Sequence, residues 1–249
     1  MNFVTYSVCK LSYKQLKIEH ALFNKFYQIE NPRHEKIISI PDGCINVWFL
    51  KAGTYYCAKV IGSANTGKLS LISNYDKCFG IKFNSGVVPD IFRQDIHILV
   101  ANNILLEKYQ KLDFMIQKIM GMPSFEEKVS YSAACESYFS TKSLNPTILT
   151  ALKDIHESYG NIKVADVAIK LGYCSRHINE IFRKNTGFSI KQYAQIIRIQ
   201  QAIDELKKTG QNDIYSNLGF YDQSHFLKEF KRLTLLTPRS IKDNNWEFT

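Results

Sequence analysis

Apolar residues keep two different rhythms along this chain. Up to about residue 100 they come in short runs rich in β-branched and aromatic side chains, at 36–40, 44–50, 54–61, 69–72 and 79–83. Runs of that length and make-up predict strands. Gly53, Gly62-Ser63, Asn74 and Asn84-Ser85-Gly86 punctuate them, and Pro41-Asp42-Gly43 puts turn chemistry between the first two. Short strands at such close spacing imply a curled antiparallel sheet or a small barrel. The stretch 16–27 admits an opening helix before them.

From about residue 96 the rhythm becomes helical. Leu105, Leu112, Met115, Ile116 and Ile119 share one face, and Gly121-Met122-Pro123 stops that helix. Ser124 caps a second helix, with Glu126 and Glu127 in its first turn, running to about residue 138. This helical stretch, 103–139, either packs on its own sheet or pairs with a second copy as a homodimer. Residues 139–146 read as a linker. Beyond Pro146 the whole pattern is helical. Leu149, Leu152, Ile155 and His156 mark a helix ending at Tyr159-Gly160-Asn161. A long helix spans 189–208 and ends at Thr209-Gly210, and Pro238 opens a last short one. The expected fold is α+β. A β-rich, barrel-like part (about 1–100) and trailing helices (about 101–140) form one domain, 1–140, and 146–249 forms an all-α domain.

Within 164–243 one small unit is written twice. Leu171-Gly172-Tyr173 returns as Leu218-Gly219-Phe220, and Ile178 and Phe182 return as Phe226 and Phe230 at i, i+4 spacing. A basic pair closes each copy, Arg183-Lys184 and Lys231-Arg232. Two short helices around a Gly-aromatic turn are the sequence form of a helix-turn-helix. Turning Ile178, Ile181 and Phe182 inward leaves Arg176, Asn179, Glu180 and Arg183 outward. Turning Phe226 and Phe230 inward leaves Gln223, Ser224, Leu227, Lys228 and Lys231 outward. Arg, Asn, Gln and Lys pair with base edges, and a major groove admits one helix. Arg183, Lys184, Lys231 and Arg232 stand near helix ends, where they can hold phosphates. A connecting helix of ~20 residues is ~30 Å long, close to one turn of DNA, so one chain can address successive major grooves. The expected partner is double-stranded DNA.

Composition agrees without locating the interface. Lys and Arg outnumber Asp and Glu by 32 to 23 in 249 residues, which suits a polyanionic partner. The excess is shared, with 17 basic and 12 acidic residues in 1–145 and 15 and 11 in 146–249. An apolar content of 45 % supports one large or two ordinary cores. No apolar run approaches the ~18 residues of a membrane span. The opening residues 1–6 lack the basic, then apolar, pattern of an export signal. The six cysteines are scattered without a C-x-x-C, so reduced thiols and a cytoplasmic location are expected.

Chemistry elsewhere is sparse. His20, His34 and His97 are isolated, and there is no Gly-rich phosphate loop or G-x-S-x-G elbow. Neither a metal, a cofactor nor an enzymatic activity is expected. Trp48, Phe49, Tyr55, Tyr56, Phe79 and Phe83 either form a core or line an apolar cavity for a small-molecule effector. Cys44, beside a turn, raises an alternative in which the first half is a thiol-based redox or alkylation sensor, or an alkyl-transfer protein, with a DNA-binding tail. Such reactivity needs an electropositive, partly exposed setting.

The last hundred residues also resemble the DNA-binding domain of the AraC/XylS family of bacterial transcription regulators. The resemblance is carried by 219–226 (Gly-Phe-Tyr-Asp-Gln-Ser-His-Phe), Phe230-Lys231 and Thr237-Pro238. Leu171-Gly172-Tyr173, Phe182-Arg183-Lys184, Thr186-Gly187, Ser189, Tyr193 and Arg198 match its first half. It implies base-facing roles for Arg176, Asn179 and Glu180 in one reader, and for Gln223, Ser224, Leu227 and Lys228 in the other. It also implies transcription activation through contact with RNA polymerase. Four features depart from the family pattern: Glu180 for a frequent Arg, Tyr215 for a small Ala, a short loop at 209–212, and Leu235 for a Gly. Ile40-Pro41-Asp42-Gly43-Cys44 and 80–86 are similar to a small β-rich domain found in front of such readers, which implies a ligand- or signal-responsive regulator.

Overall fold

The computed structural model describes residues 2–6, 12–32, 36–101, 103–105, 109, 112–140, 145–209, 215–216, 218–243 and 246–248. Its strands are β1 (Asn2–Tyr6), β2 (Ser12–Lys17), β3 (Phe23–Glu30), β4 (Lys36–Ile40) and β5 (Asn46–Ala52). There follow β6 (Tyr55–Ile61), β7 (Lys68–Leu69), β8 (Lys77–Phe83), β9 (Asn103–Leu105) and, at the far end of the chain, β10 (Trp246–Phe248). The helices are α1 (Ile96–Ala101), α2 (Asp113–Gly121), α3 (Phe125–Ala134), α4 (Pro146–Glu157) and α5 (Val164–Leu171). The last four are α6 (Ser175–Thr186), α7 (Ile190–Thr209), α8 (Gln223–Thr234) and α9 (Pro238–Asp243). Among the described residues, no helix is long and apolar enough to cross a membrane.

The first half is two antiparallel sheets, one ordered β2-β3-β8-β5-β6-β9 and the other β10-β1-β4-β7. Alternation along β5 shows how the sheets are used. Val47 and Phe49 face a core with Phe26, Phe79, Met115, Ile119, Phe125 and Phe139, which seats α2 and α3 on the outer face. Trp48 and Leu50 face the other way, into a core shared with Tyr27, with Ile37 of β4, and with Ile72. The aromatic residues that admitted a cavity reading therefore pack as core, with Phe49 and Phe79 centroids 6.3 Å apart, whereas Tyr55 is exposed. Phe114 and Tyr138 stay exposed on α2 and the turn after α3, their rings 5.1 Å apart.

Three expectations change, at 16–27, Leu105 and Phe139. The stretch 16–27 is not a helix but β2, a turn and β3. Strand β3 is buried on both faces, with the polar Lys25 and Gln28 among its buried positions, so its apolar residues Phe23, Phe26 and Tyr27 fall at i, i+3, i+4 and imitate a helix. The turn expected at Pro41-Asp42-Gly43 joins two strands that do not pair with each other. It carries the chain from one sheet to the other, with Gly43 at φ 75° against the Tyr193 ring. Leu105 lies in β9 and not on a helix face. Phe139, read as linker, is fully buried in the first core. Residues 141–144 of that linker lie outside the described residues. α4 begins at Pro146, with Asn145 Oδ1 accepting from Thr147 N at 2.9 Å.

From α4 onward one core runs through Ile148, Ile155, Phe182, Tyr193, Ile203, Phe226 and Phe230. Ile38 and Ile40 of β4 and Val100 of α1 belong to the same cluster, so the helical half is seated on the first half. β10 pairs with β1 and so adds the end of the chain to the four-stranded sheet.

Candidate nucleic-acid interface

The repeat survives in atomic detail. α6 and α8 each have twelve residues and start 48 positions apart. In each, the apolar pair one turn apart is fully buried, Ile178 with Phe182 and Phe226 with Phe230. Thr186 Oγ1 donates to Phe182 O at 2.9 Å and accepts from Phe188 N at 3.2 Å. Thr234 Oγ1 repeats this with Phe230 O at 2.7 Å and Leu236 N at 3.1 Å. A left-handed residue then ends each helix, Gly187 at φ 81° and Leu235 at φ 61°. The next helix is capped in both copies. Ser189 and Gln192 make a reciprocal capping box, and Ser240 N donates to Thr237 Oγ1 at 3.1 Å.

The turns before the two helices differ. α5 ends at Gly172, and Cys174 is the N-cap of α6 without a side-chain bond. α8 is capped by Asp222, whose Oδ1 accepts from His225 N at 2.7 Å, and its turn is one residue longer. The helix expected before that turn falls on 210–214 and 217, which lie outside the described residues. Residues 215–216 and 218–219 form turns, with Tyr215 packed against the helical core. Arg198 ties the two halves together. Its Nη2 donates to Gly160 O at 2.6 Å, its Nη1 to Gly219 O at 3.1 Å, and its guanidinium lies 5.3 Å from the Phe220 ring centre.

The outward faces carry most of the expected side chains. Arg176, Glu180, Arg183 and Lys184 on α6 are exposed, as are Gln223, Ser224, Leu227, Lys228 and Lys231 on α8. Arg176 Nε and Glu180 Oε1 are 3.2 Å apart, an exposed i, i+4 pair worth only about 0.3–0.5 kcal/mol, which leaves the guanidinium available to another acceptor. Two of the expected side chains are placed differently from the rest. Asn179 is half-buried and used at both ends of its amide: Nδ2 donates to Ser175 O at 2.9 Å, and Oδ1 accepts the first helical amide of α7, Ile190 N, at 3.1 Å. Arg232 points away from the outer face, with Nη1 on Asn65 O at 2.5 Å and Nη2 on Glu229 Oε2 at 2.6 Å. Four exposed residues beside these faces were missed: Ser175, His177, His225 and Tyr221, the last 94 % exposed. The 48-residue offset, which pairs His177 with His225, was the signal that would have found the histidines.

A second polar region lies behind the readers, at the seam with the first half. Tyr193 OH sits 2.5 Å from Ser85 Oγ and 3.0 Å from His156 Nε2, and Gln200 Nε2 donates to Pro41 O at 2.5 Å. Ser85, His156 and Gln200 border a cleft of about 410 Å³, with the buried Asp42 and Lys82 also lining it, together with Asn24, Gln201 and Asp204. The Asp42 and Lys82 side chains are buried, 2.5 Å apart. Burial alone would raise the Asp42 carboxyl, but the Lys82 ammonium outweighs it and holds the group well below the carboxylate range. Burial likewise opposes charge on Lys82, and Asp42 holds its pKa above the lysine range. Cys44, in the same region, is buried, and burial with the Asp42 charge pushes its thiol up to about 11. Cys44 also lines the cleft, but burial and a raised thiol pKa make it a poor nucleophile, whereas the thiol alternative calls for an electropositive, exposed setting.

Comparison with known proteins points to the same region. Residues 167–244 match a family model described as a helix-turn-helix domain. The chain is 30 % identical over 162 residues to the Msm operon regulatory protein of Streptococcus mutans, covering 64 % of this chain and 57 % of that protein. It is 31 % identical over 97 residues to the transcriptional activator RhaR of Yersinia pseudotuberculosis, covering 38 % and 33 % of the two. The chain thus spans less than two thirds of the length of either relative. Among solved structures it is similar to ToxT of Vibrio cholerae, at 14 % identity and a TM-score of 0.42 over 97 % of this chain and 98 % of that one.

Proposed function

We propose that this chain is a sequence-specific DNA-binding transcription regulator of the AraC type with two unequal readers, a reading supported by the match of residues 167–244 to a helix-turn-helix domain. The observation that carries the reading is the pair of matched twelve-residue helices, each with a buried apolar face and an exposed face of hydrogen-bonding and basic side chains. α6 reads bases through Arg176, with Glu180 accepting from a cytosine amino group or releasing Arg176 to a guanine. α8 reads through Gln223, Ser224 and Lys228, with Leu227 against a thymine methyl. Arg183, Lys184 and Lys231 hold phosphates. Asn179 and Arg232 leave the DNA-contacting set, because their polar atoms are engaged inside the protein. α7, with 20 residues and so ~30 Å long, separates the readers by close to one DNA turn.

Residues 1–140 act as the responsive half and 146–249 as the reader. The cleft at the seam supports a small, hydrogen-bonding effector, since its walls come from both halves and a ligand there distinguishes one arrangement of them from another. Activation through RNA polymerase, a cytoplasmic location, and a homodimer through the exposed Phe114 and Tyr138 complete the reading. A gel shift at moderate salt tests it, comparing the DNA upstream of the chain's own coding sequence with a scrambled duplex. Tighter binding to the native DNA is expected; equal affinity for the two overturns sequence-specific reading.

A further inference from the structure

Both readers touch the first half of the chain, but in different ways. At the end of α6, Gly187 lies over Ile96 and Val100, and Arg93 Nη1 donates to Asn185 Oδ1 at 3.1 Å. At the end of α8 the contact is made by backbone. Gly67 N donates to Arg232 O at 3.0 Å, serving one of the last-turn carbonyls that have no partner within a helix. Arg232 returns the bond by donating to Asn65 O at 2.5 Å. A Cβ on Gly67 would sit 2.6 Å from the Leu233 carbonyl oxygen and 3.1 Å from Leu235 Cγ. The segment is seated directly on the helix end, with no room for a side chain.

The repeat reveals what has changed to make this seat. Forty-eight positions earlier, Arg232 corresponds to the exposed Lys184 and Leu235 to Gly187. Leucine is held at φ 61°, a backbone conformation that glycine adopts freely and leucine resists. Both departures from the repeat touch the same segment. That segment is also fastened at its other end, where Ser63 Oγ accepts from the amides of Asp42 and Gly43 at 3.1 and 2.9 Å, beside the cleft.

We propose that residues 62–68 clamp the C-terminal end of α8, with Arg232 as the positioning residue, so that the first half of the protein fixes the interval between the two DNA half-sites that the chain accepts. The proposal rests on the DNA-reading function. In the full chain, the angle of the second recognition helix is then a property of the whole protein and not of α7 alone.

The test uses the full-length chain. Wild type first selects its preferred sequence from random duplex DNA. That sequence is rebuilt with the interval between half-sites changed one base pair at a time, and binding of wild type, Arg232→Ala and Leu235→Gly is measured at several salt concentrations. Wild type should lose about tenfold in affinity one or two base pairs from its optimum, because the duplex must be twisted to fit. Both variants should flatten that profile while binding a duplex with the first half-site alone as wild type does. Leu235→Gly removes no cation and supplies the residue that favours the helix end, so it separates orientation from charge and from folding. Uniform weakening of Arg232→Ala at every interval, with the salt slope reduced by about one, makes Arg232 a phosphate ligand and overturns the clamp. An unchanged profile in both variants also overturns it. A wild type that selects no sequence overturns the DNA-reading function instead, and the clamp with it.

Discussion

Removing the Asn179 side chain separates a structural role from a reading role. In Asn179→Ala, the Ile190 amide loses its 3.1 Å acceptor and the Ser175 carbonyl its 2.9 Å donor. Ile190 is fully buried, so no water replaces the first of these. Loss of a helix cap costs about 1 kcal/mol and a buried donor left unpaired about 1–3 kcal/mol; the two are measures of the same lost bond, and their overlap puts the cost at about 1–2 kcal/mol here. For a chain of this size that is a fall in Tm of about 2–8 °C. The repeat supplies an internal control. At the matching positions of the second unit, Leu227 stands opposite Pro238, which has no amide hydrogen to satisfy. Replacing Ile190 by Pro should therefore remove the need for Asn179. The proline costs packing of its own, so the quantity to read is the double-mutant cycle. Thermal and urea unfolding of wild type, both single variants and the double variant should show a coupling of about 1 kcal/mol. Binding to all base variants of the first half-site should keep the same rank order in Asn179→Ala. An unchanged Tm together with a changed base preference refutes the reasoning and returns Asn179 to the recognition surface.

Three further outcomes follow from the same structure. Asp42→Asn strands the buried Lys82 charge and should destabilise the chain by about 3–5 kcal/mol. The Asp42 carboxyl is held below 3.8 in wild type, and burial lowers the stranded Lys82 ammonium in the variant. The gap between them in urea unfolding should therefore be full from 3.8 up to the pH, below 10.5, at which the variant's Lys82 gives up its proton. It should close as pH falls below the first or rises above the second; a gap that does not close removes the ion pair as its cause. Lys25 is pushed down to about 8, first by burial and then by the Lys82 charge. Between that value and the ordinary 10.5 the unfolded chain binds more protons, so stability from this residue should rise with pH, and Lys25→Met should lose that rise relative to wild type. Parallel pH profiles for the two proteins would contradict this. Brief thiol labelling of the native chain, read by mass spectrometry, should modify the exposed Cys174 and spare Cys44; rapid labelling of Cys44 would revive the thiol-sensor reading.

The helical half was legible because its signals are local. Gly172 and Gly187 mark helix ends, Pro238 and Ser189 with Gln192 mark helix starts, and the i, i+4 pairs Ile178/Phe182 and Phe226/Phe230 mark the inward faces. The sheet half was less legible because strands such as β3 are buried on both faces. β3 buries Lys25 and Gln28 and so spaces its apolar residues like a helix, and the Pro41-Asp42-Gly43 turn is the same in sequence whether it closes a hairpin or crosses between sheets. A helical wheel misplaces a polar side chain that has an inward partner only the fold supplies. Asn179 and Arg232 look outward on a helical wheel, yet one is claimed by the next helix and the other by a loop 167 residues away. Leu235, which the family pattern made anomalous, is explained by its contact with Gly67.

The central claim is that one chain carries two readers for successive major grooves. Hydroxyl-radical footprinting on the selected duplex tests it directly. Two protected patches about 10–11 base pairs apart on one face are expected, with Arg176→Ala relaxing base preference in one and Lys228→Ala in the other, each by about 1–3 kcal/mol. A single patch, or loss of preference in the same patch from both substitutions, would contradict it.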